Sequence, residues 1–355
     1  MKLTCLIILL APLILFGQQE KKPKSNPERL AFFEYDLNGE EVEPSTVKLP
    51  FSSIKIIDSR YDTSIIGFVP KSDPLDGKTN LFRRLHLTGG CANAVEIFLQ
   101  NLFQHSFDSS GMNLLIVIKK LWLSGIQADK KKDLDVSADF NSTKSLYCKW
   151  EYYLAKDGKY LPVKRVDTVF TLADNVDQRV KFKFGRQQKD FLKQSLQQLV
   201  EMLDFSKGVQ VFGQQNKKSL SEIVNHNEAR FKIPILDNNG FAKGVFVNFD
   251  EFRNNKPSIS NFTEKKKPTD VFHNQKFIED ENGKQINPYW AYFDGVNTRY
   301  GKYDNDILYR TGNTFTFFYK MVWYIIDNSP GSFSHKHRIE VWVPYEIDMD
   351  TGEIY

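Results

Sequence analysis

The stretch "IKIIDSRYDTSIIGF", residues 54–68, sets Asp58, Arg60 and Asp62 at alternate positions between two apolar runs. Alternate residues of an extended chain share a face. Asp58 and Arg60 are therefore close enough for a charge-assisted hydrogen bond. No base, nucleophile or metal ligand stands beside them in sequence. The knot reads as the polar end of a strand, with Asp58 and Arg60 in a structural role.

The other candidate chemistries each lack a component. His335 and His337 lie two apart with only Glu340 nearby, and a histidine pair leaves a metal's coordination sphere unfilled. The loop around them reads as a solvated turn between strands. "DMDTGE" carries Asp348, Asp350 and Glu353 but no distal bidentate acid of a calcium loop. It reads as a hairpin turn at Gly352. "LTGGCAN" opens a helix without the Gly-Lys-Ser/Thr ending of a phosphate loop, and no dinucleotide fingerprint is present. No metal and no cofactor is expected.

Cys91, five residues after His86, is the nearest thiol–base pairing, but no local signature surrounds it and no G-x-S-x-G elbow exists. Asp250 and Glu251 are adjacent, which suits the first turn of a short helix, where acids favour the dipole. The acids of "EDEN" fall in a turn. No catalytic residue is assigned.

The lysine runs Lys130–Lys132 and Lys265–Lys267 sit in polar loops without interleaved aromatics. Net charge is only +4. Nucleic acid is not an expected partner.

The positioning elements follow from periodicity. The hydrophobic set is 41% and charged residues 26%, an ordinary globular balance, and the 14% aromatic content favours strands. Ile54, Ile56 and Ile57 make a strand ending at Asp58. Val95, Leu99 and Leu102 recur at helical spacing from Cys91 onward. "NLLIVIKKLWLSGI", residues 113–126, is a strand. Leu146, Cys148, Trp150, Tyr152 and Leu154 alternate with Tyr147, Lys149, Glu151 and Tyr153, and Asp157-Gly158 turns that strand into a hairpin. Leu192, Leu196, Leu199 and Leu203 stripe a second helix from about Gln187.

Residues 47–205 therefore form an α+β unit: an N-terminal antiparallel sheet with two helices on one face. Residues 206–355 hold many hairpin signals, including Asn239-Gly240 and Asn282-Gly283, and read as a β-rich domain. Short helices are expected in "SLSEIVNHNEA" and "FDEFRNN". Trp290, Tyr292, Phe293, Tyr300 and Tyr303 form an aromatic set. Trp290, Tyr292, Tyr300 and Tyr303 are the candidate ligand-binding residues, set against the reading of aromatics as core.

The N-terminus "MKLTCLIILLAPLILFGQQEKKPK" has a basic Lys2, an apolar run from Leu3 to Phe16 and a small Gly17. Residues 1–17 read as a signal peptide and 18–46 as a flexible leader. No later segment is long and uncharged enough to span a bilayer, so no transmembrane helix is expected after cleavage. Cys91 and Cys148 remain, and the choice between one disulfide and two buried small residues stays open.

Asp58, Arg60, Ile66, Gly67 and the helix Leu192–Leu203 make residues 50–205 similar to small bacterial envelope lipoproteins, including auxiliary lipoproteins of ABC transport systems. The chain departs from them in lacking a cysteine at the end of the apolar run. "KGVFVNFDEFRNNKPSI" and "YWAYFDGVNTRYGKYDNDILYRTGNTFTFF" resemble segments of secreted Bacteroidota proteins that carry no assigned function. The resemblance implies an exported protein, periplasmic or extracellular, and no reaction. The function expected is non-enzymatic binding or assembly in the cell envelope, with an envelope protein or glycan as partner. The alternative is a hydrolase acting on envelope glycans or peptides.

Overall fold

The computed structural model describes residues 30–39, 42–70, 82–124, 144–172, 186–203, 217–237, 240–268, 274–301, 306–327 and 335–355. The expected signal peptide, the leader up to residue 29, Tyr303 and the run Lys130–Lys132 lie outside the described residues.

The first half contains strands β1 (Phe32–Tyr35), β2 (Leu49–Asp58), β3 (Gly67–Pro70) and β4 (Phe82–Leu87), then helix α1 (Cys91–Leu102). It continues with β5 (Phe107–Ser124), β6 (Lys144–Lys156), β7 (Lys159–Leu172) and helix α2 (Arg186–Glu201). The strands form one sheet in the order β1-β4-β3-β5-β6-β7, with β2 also paired to β5. The antiparallel sheet expected from sequence is instead mixed. β1–β4, β2–β5 and β3–β5 are parallel pairs. The chain from β2 to β5 passes through α1, and a long crossover returns a strand in the same direction.

β5 spans 18 residues and serves two partners along one edge. Ile54 to Asp58 pair with Leu114 to Ile118, and Gly67 and Phe68 pair with Leu123 and Ser124. Residues 59–66 are the excursion between these two pairings. The return demands glycine: Gly67 has φ +144°, and a Cβ there would meet the Leu123 carbonyl oxygen at 2.1 Å.

A register shift between Ile118 and Lys120 marks a β-bulge. Before it, Leu114, Ile116 and Ile118 join the core that α1 and α2 share; after it, Leu121 and Leu123 do. The extra residue thus keeps two consecutive lysines, Lys119 and Lys120, out of that core. The hairpin β6–β7 follows its alternation. Leu146, Cys148, Trp150, Tyr152 and Leu154 enter the same core, and Asp157 and Gly158 turn at positive φ.

The second half is rich in short strands. It holds helix α3 (Leu220–Glu228), β8 (Gly244–Phe246), helix α4 (Phe249–Arg253), β9 (Phe262–Pro268) and β10 (Asn274–Asp280). Then come β11 (Ala291–Phe293), β12 (Thr298–Tyr300), β13 (Tyr309–Thr311), β14 (Thr314–Asp327) and β15 (His335–Glu346). They form three further sheets, β10-β9, β12-β11-β8 and β13-β14-β15. α3 starts at a capping box made by Ser219 and Glu222, and α4 at an Asn248 cap. Asn239 of the turn expected at Asn239-Gly240 lies outside the described residues; β8, which follows it, pairs with β11. Upstream, Pro234 starts a 3₁₀ turn over Pro234–Leu236 rather than a strand.

Two large cores result. One draws on residues from Tyr35 to Leu203. The other runs from Ile233 to Met349, with Tyr61 as its contribution from the first half. A third cluster brings Ile65, Phe68 and Trp122 together with Phe318, Val343 and Tyr355. The buried residues of the first core end at Leu203 and those of the second, Tyr61 apart, begin at Ile233, while the third cluster packs the two regions against each other.

Candidate functional site: the cleft between the two regions

Lys119, Lys120, Lys149 and Glu151 lie on the sheet away from the helix-bearing core. A lysine pair inside "LLIVIKKLWLS" needs buried partners, because an unpaired buried charge is costly. Lys119 Nζ meets Glu151 Oε1 at 2.5 Å, and Tyr153 donates to Glu151 Oε2 at 2.9 Å. Burial lowers the Lys119 pKa against the opposing pull of Glu151. Burial, the largest influence, would raise Glu151, but the hydrogen bond and charge of Lys119, the Tyr153 hydrogen bond and the Arg165 charge together outweigh it and the net direction is down. Lys120 pairs with Asp348, and its ammonium lies 4.5 Å from the centre of the Tyr355 ring.

The opening knot faces the same cleft. Arg60 binds Asp58 through Nε at 2.8 Å and a second nitrogen at 2.7 Å, a bidentate pair. Its remaining donors reach the Ile65 and Thr63 carbonyls at 2.5 and 3.1 Å. One arginine thereby fixes the whole excursion from the sheet. Asp62 Oδ1 accepts from the Ser64 amide at 2.7 Å and hydroxyl at 2.6 Å.

Asp350 is the cleft's most connected acid. It accepts from Tyr61 Oη at 2.7 Å and from an Arg230 nitrogen at 2.7 Å, and Lys149 Nζ stands 3.3 Å away. Burial pushes its pKa up, but the Arg230 and Tyr61 hydrogen bonds prevail and hold it well below the usual carboxylate range. Arg230 also donates to the Ser59 carbonyl at 3.0 Å and lies 4.8 Å from the Tyr61 ring centre.

Each lysine or arginine in this cleft thus has a carboxylate. Two acid oxygens are left over: Asp62 Oδ2 and Glu346 Oε2 are buried without a hydrogen-bond partner. Asp62 is 6% exposed and Glu346 4%. Burial, then the nearby Asp62 charge, raises the Glu346 pKa well above the ordinary glutamate value. Both residues line a cavity of about 10 Å³, room for about one water molecule.

The remaining sequence candidates fall elsewhere. Trp290, Tyr292 and Tyr300 do not form an exposed surface; all three are buried. The Trp290 ring centre lies 4.4 Å from that of Phe252 and 5.1 Å from that of Tyr300, and Tyr292 Oη donates to Glu264 at 2.5 Å. Trp290 and Tyr300 fill the core of the second half, and Tyr292 a smaller cluster with Val245 and Ile278, the packed role to which large rings contribute most. Tyr303 lies outside the described residues. Cys91 and Cys148 are free and buried, so no disulfide joins them. They belong to one core as packed thiols. His86 Nδ1 lies 2.7 Å from the Ser64 carbonyl, and its hydrogen bond is to that backbone. No cluster of three metal-ligating side chains occurs among the described residues.

Sequence reasoning missed Tyr61, Lys119, Lys120, Arg230 and Glu346. The two lysines carried a signal, since charge inside an apolar strand implies partners. The others carried none.

A second, open cavity of about 570 Å³ lies at the far end of the helix-bearing core. Val47, Leu49, Phe107 and Leu203 line it together with Lys48 and Glu201. Ser45 Oγ donates to Glu201 at 3.0 Å and Lys48 to the His105 carbonyl at 3.1 Å, which fixes the rim.

No helix among the described residues is long and apolar enough to cross a membrane. No family model and no curated protein matches the chain. A solved structure described as "Crystal structure of uncharacterized protein" is similar at 10% identity and a TM-score of 0.24, over 49% of this chain and 95% of that one.

Proposed function

We propose that the protein is an exported, non-catalytic component of a bacterial cell envelope of the Bacteroidota type, periplasmic or extracellular. Its role is binding or assembly, with an envelope protein or glycan as partner. In this reading α1 and α2 cover one face of the first sheet and the second half covers part of the other. The shared core of α1, α2 and alternate β5 residues supports that arrangement.

The contrast between the two cavities carries the functional reading. Asp62 and Glu346 are the convergent acids a glycan hydrolase would use, and they are the reason to keep that alternative in view. Their cavity is water-sized and cannot seat a sugar ring. The groove beside α2 is within the volume range of ligand sites and mixes apolar walls with fixed polar groups. Its two acids, Asp108 and Glu201, are each held by a neighbouring hydroxyl: Ser110 donates to Asp108 at 2.7 Å and Ser45 to Glu201 at 3.0 Å.

The test is capture from envelope extracts with the tagged mature protein and with Val47→Asp. Val47 is 41% exposed, so the change leaves the fold intact. A partner retained by the wild type and lost with the variant supports the reading. Turnover of an envelope glycan or peptide, abolished by Glu346→Gln, overturns it in favour of the hydrolase.

A further inference from the structure

Glu346 occupies a junction. It closes β15 on the second half, and its amide and carbonyl pair with Tyr355 at 3.0 and 3.1 Å. That pairing holds the turn containing Asp348 and Asp350 against the sheet of the first half. Tyr355 stacks edge-on to Trp122, with ring centres 5.4 Å apart. The turn is thus the clasp between the two regions.

The charged groups around Glu346 come from every element that packs there. Asp62 and Arg60 face it from the knot, and Lys120 from β5. Asp348 and Tyr355 belong to the clasp itself, and Tyr61, Lys119, Arg230 and Asp350 complete the lining. The cations are already committed: Arg60 to Asp58, Lys119 to Glu151, Lys120 to Asp348, and Arg230 to Asp350. An ionised Glu346 would add a negative charge with no cation assigned to it, beside the unpartnered oxygen of Asp62. The cavity is too small for a ligand that brings a counter-charge. A proton is what neutralises it.

We propose that Glu346 is a proton-dependent latch: as a neutral acid it lets the 346–355 turn lie against the sheet, and loss of its proton loosens that turn.

The sign follows from linkage. Burial raises the pKa of Glu346 in the closed state, so the closed state holds the proton more tightly than the open one. Closure is undiminished below the ordinary glutamate value of 4.5. It weakens as pH rises from there toward the raised value, by up to about tenfold per pH unit.

The test is hydrogen exchange at the Glu346 and Tyr355 amides in the full chain, corrected for base catalysis, between about pH 4 and pH 8. Wild-type protection should fall across the range. Glu346→Gln, which cannot ionise, should hold it flat. Asp62→Asn keeps the acceptor for Ser64 and removes the charge beside Glu346, so it should give a fall of intermediate size. Flat protection in the wild type, or an undiminished fall in either variant, overturns the latch.

Discussion

Tyr61 and Asp350 are 289 positions apart in the chain, yet the tyrosine hydroxyl donates to the aspartate at 2.7 Å. The ring of Tyr61 belongs to the core of the second half, while its backbone belongs to the excursion between β2 and β3. The contact ties the most local feature of the first half to a turn of the second.

Tyr61→Phe keeps the ring and removes the donor. Asp350 retains Arg230, so the loss is one hydrogen bond to a charged group, about 1.5 kcal/mol. A melting-temperature decrease of roughly 2–4 °C is expected by calorimetry. An unchanged value would mean that the hydroxyl contributes nothing to the junction.

Asp350 governs acid stability. Its folded pKa is held below the ordinary 3.8 by Arg230 and Tyr61 despite burial. A depressed acid contributes stability that is fully present above the unfolded value and is lost as pH falls through the folded one. Wild-type stability should therefore drop below about pH 4, and Asp350→Asn should be less stable near neutrality by about 2 kcal/mol with a shallower acid limb. Denaturant titrations at several pH values measure both. An acid limb as steep in the variant as in the wild type would remove Asp350 as its source.

Arg60→Ala leaves Asp58 without its bidentate partner and frees the Thr63 and Ile65 carbonyls. Breaking such a buried pair costs about 3–5 kcal/mol. Asp58→Ala strands the guanidinium in turn and should cost a similar amount. Both should lower the melting temperature without selectively abolishing partner capture. If either removed binding or turnover at an unchanged melting temperature, the structural role of the knot would be refuted.

Burial pushes the Cys91 thiol up to about 12, and Cys148 also well above its ordinary range. The thiolate is the reactive form. At about pH 8 the native protein should resist iodoacetamide, and denaturant should expose both thiols together. A reductant should leave the melting temperature unchanged, because the cysteines are unbonded. Mass spectrometry of alkylated peptides reads the outcome directly.

Much of the fold was legible where periodicity is strong. The helical spacing from Cys91 and the stripe ending at Leu203 correspond to α1 and α2, and the alternation from Leu146 to Leu154 sorts as expected around the Asp157-Gly158 turn. Parallel pairing was not legible, because an apolar run such as Ile54–Ile57 carries no mark of its partner's direction. The aromatic set misled for a related reason: Trp290 and Tyr300 look alike in sequence whether they close a core or line a surface. The cleft was least legible, since Arg230 and Glu346 gain meaning only from residues far away in the chain. Lys119 and Lys120 were the exception, two charges that an apolar strand could not leave unanswered.

The placement of Tyr61 sets a limit on modularity. A chimera that joined residues 206–355 to another first half would lose the aromatic ring that fills their core and the hydroxyl that caps Asp350. A transplant of the second half must carry the 59–66 excursion with it, although that segment lies in the other half of the gene. The unit that can be exchanged between proteins is therefore discontinuous, and the border near residue 205 is not its boundary.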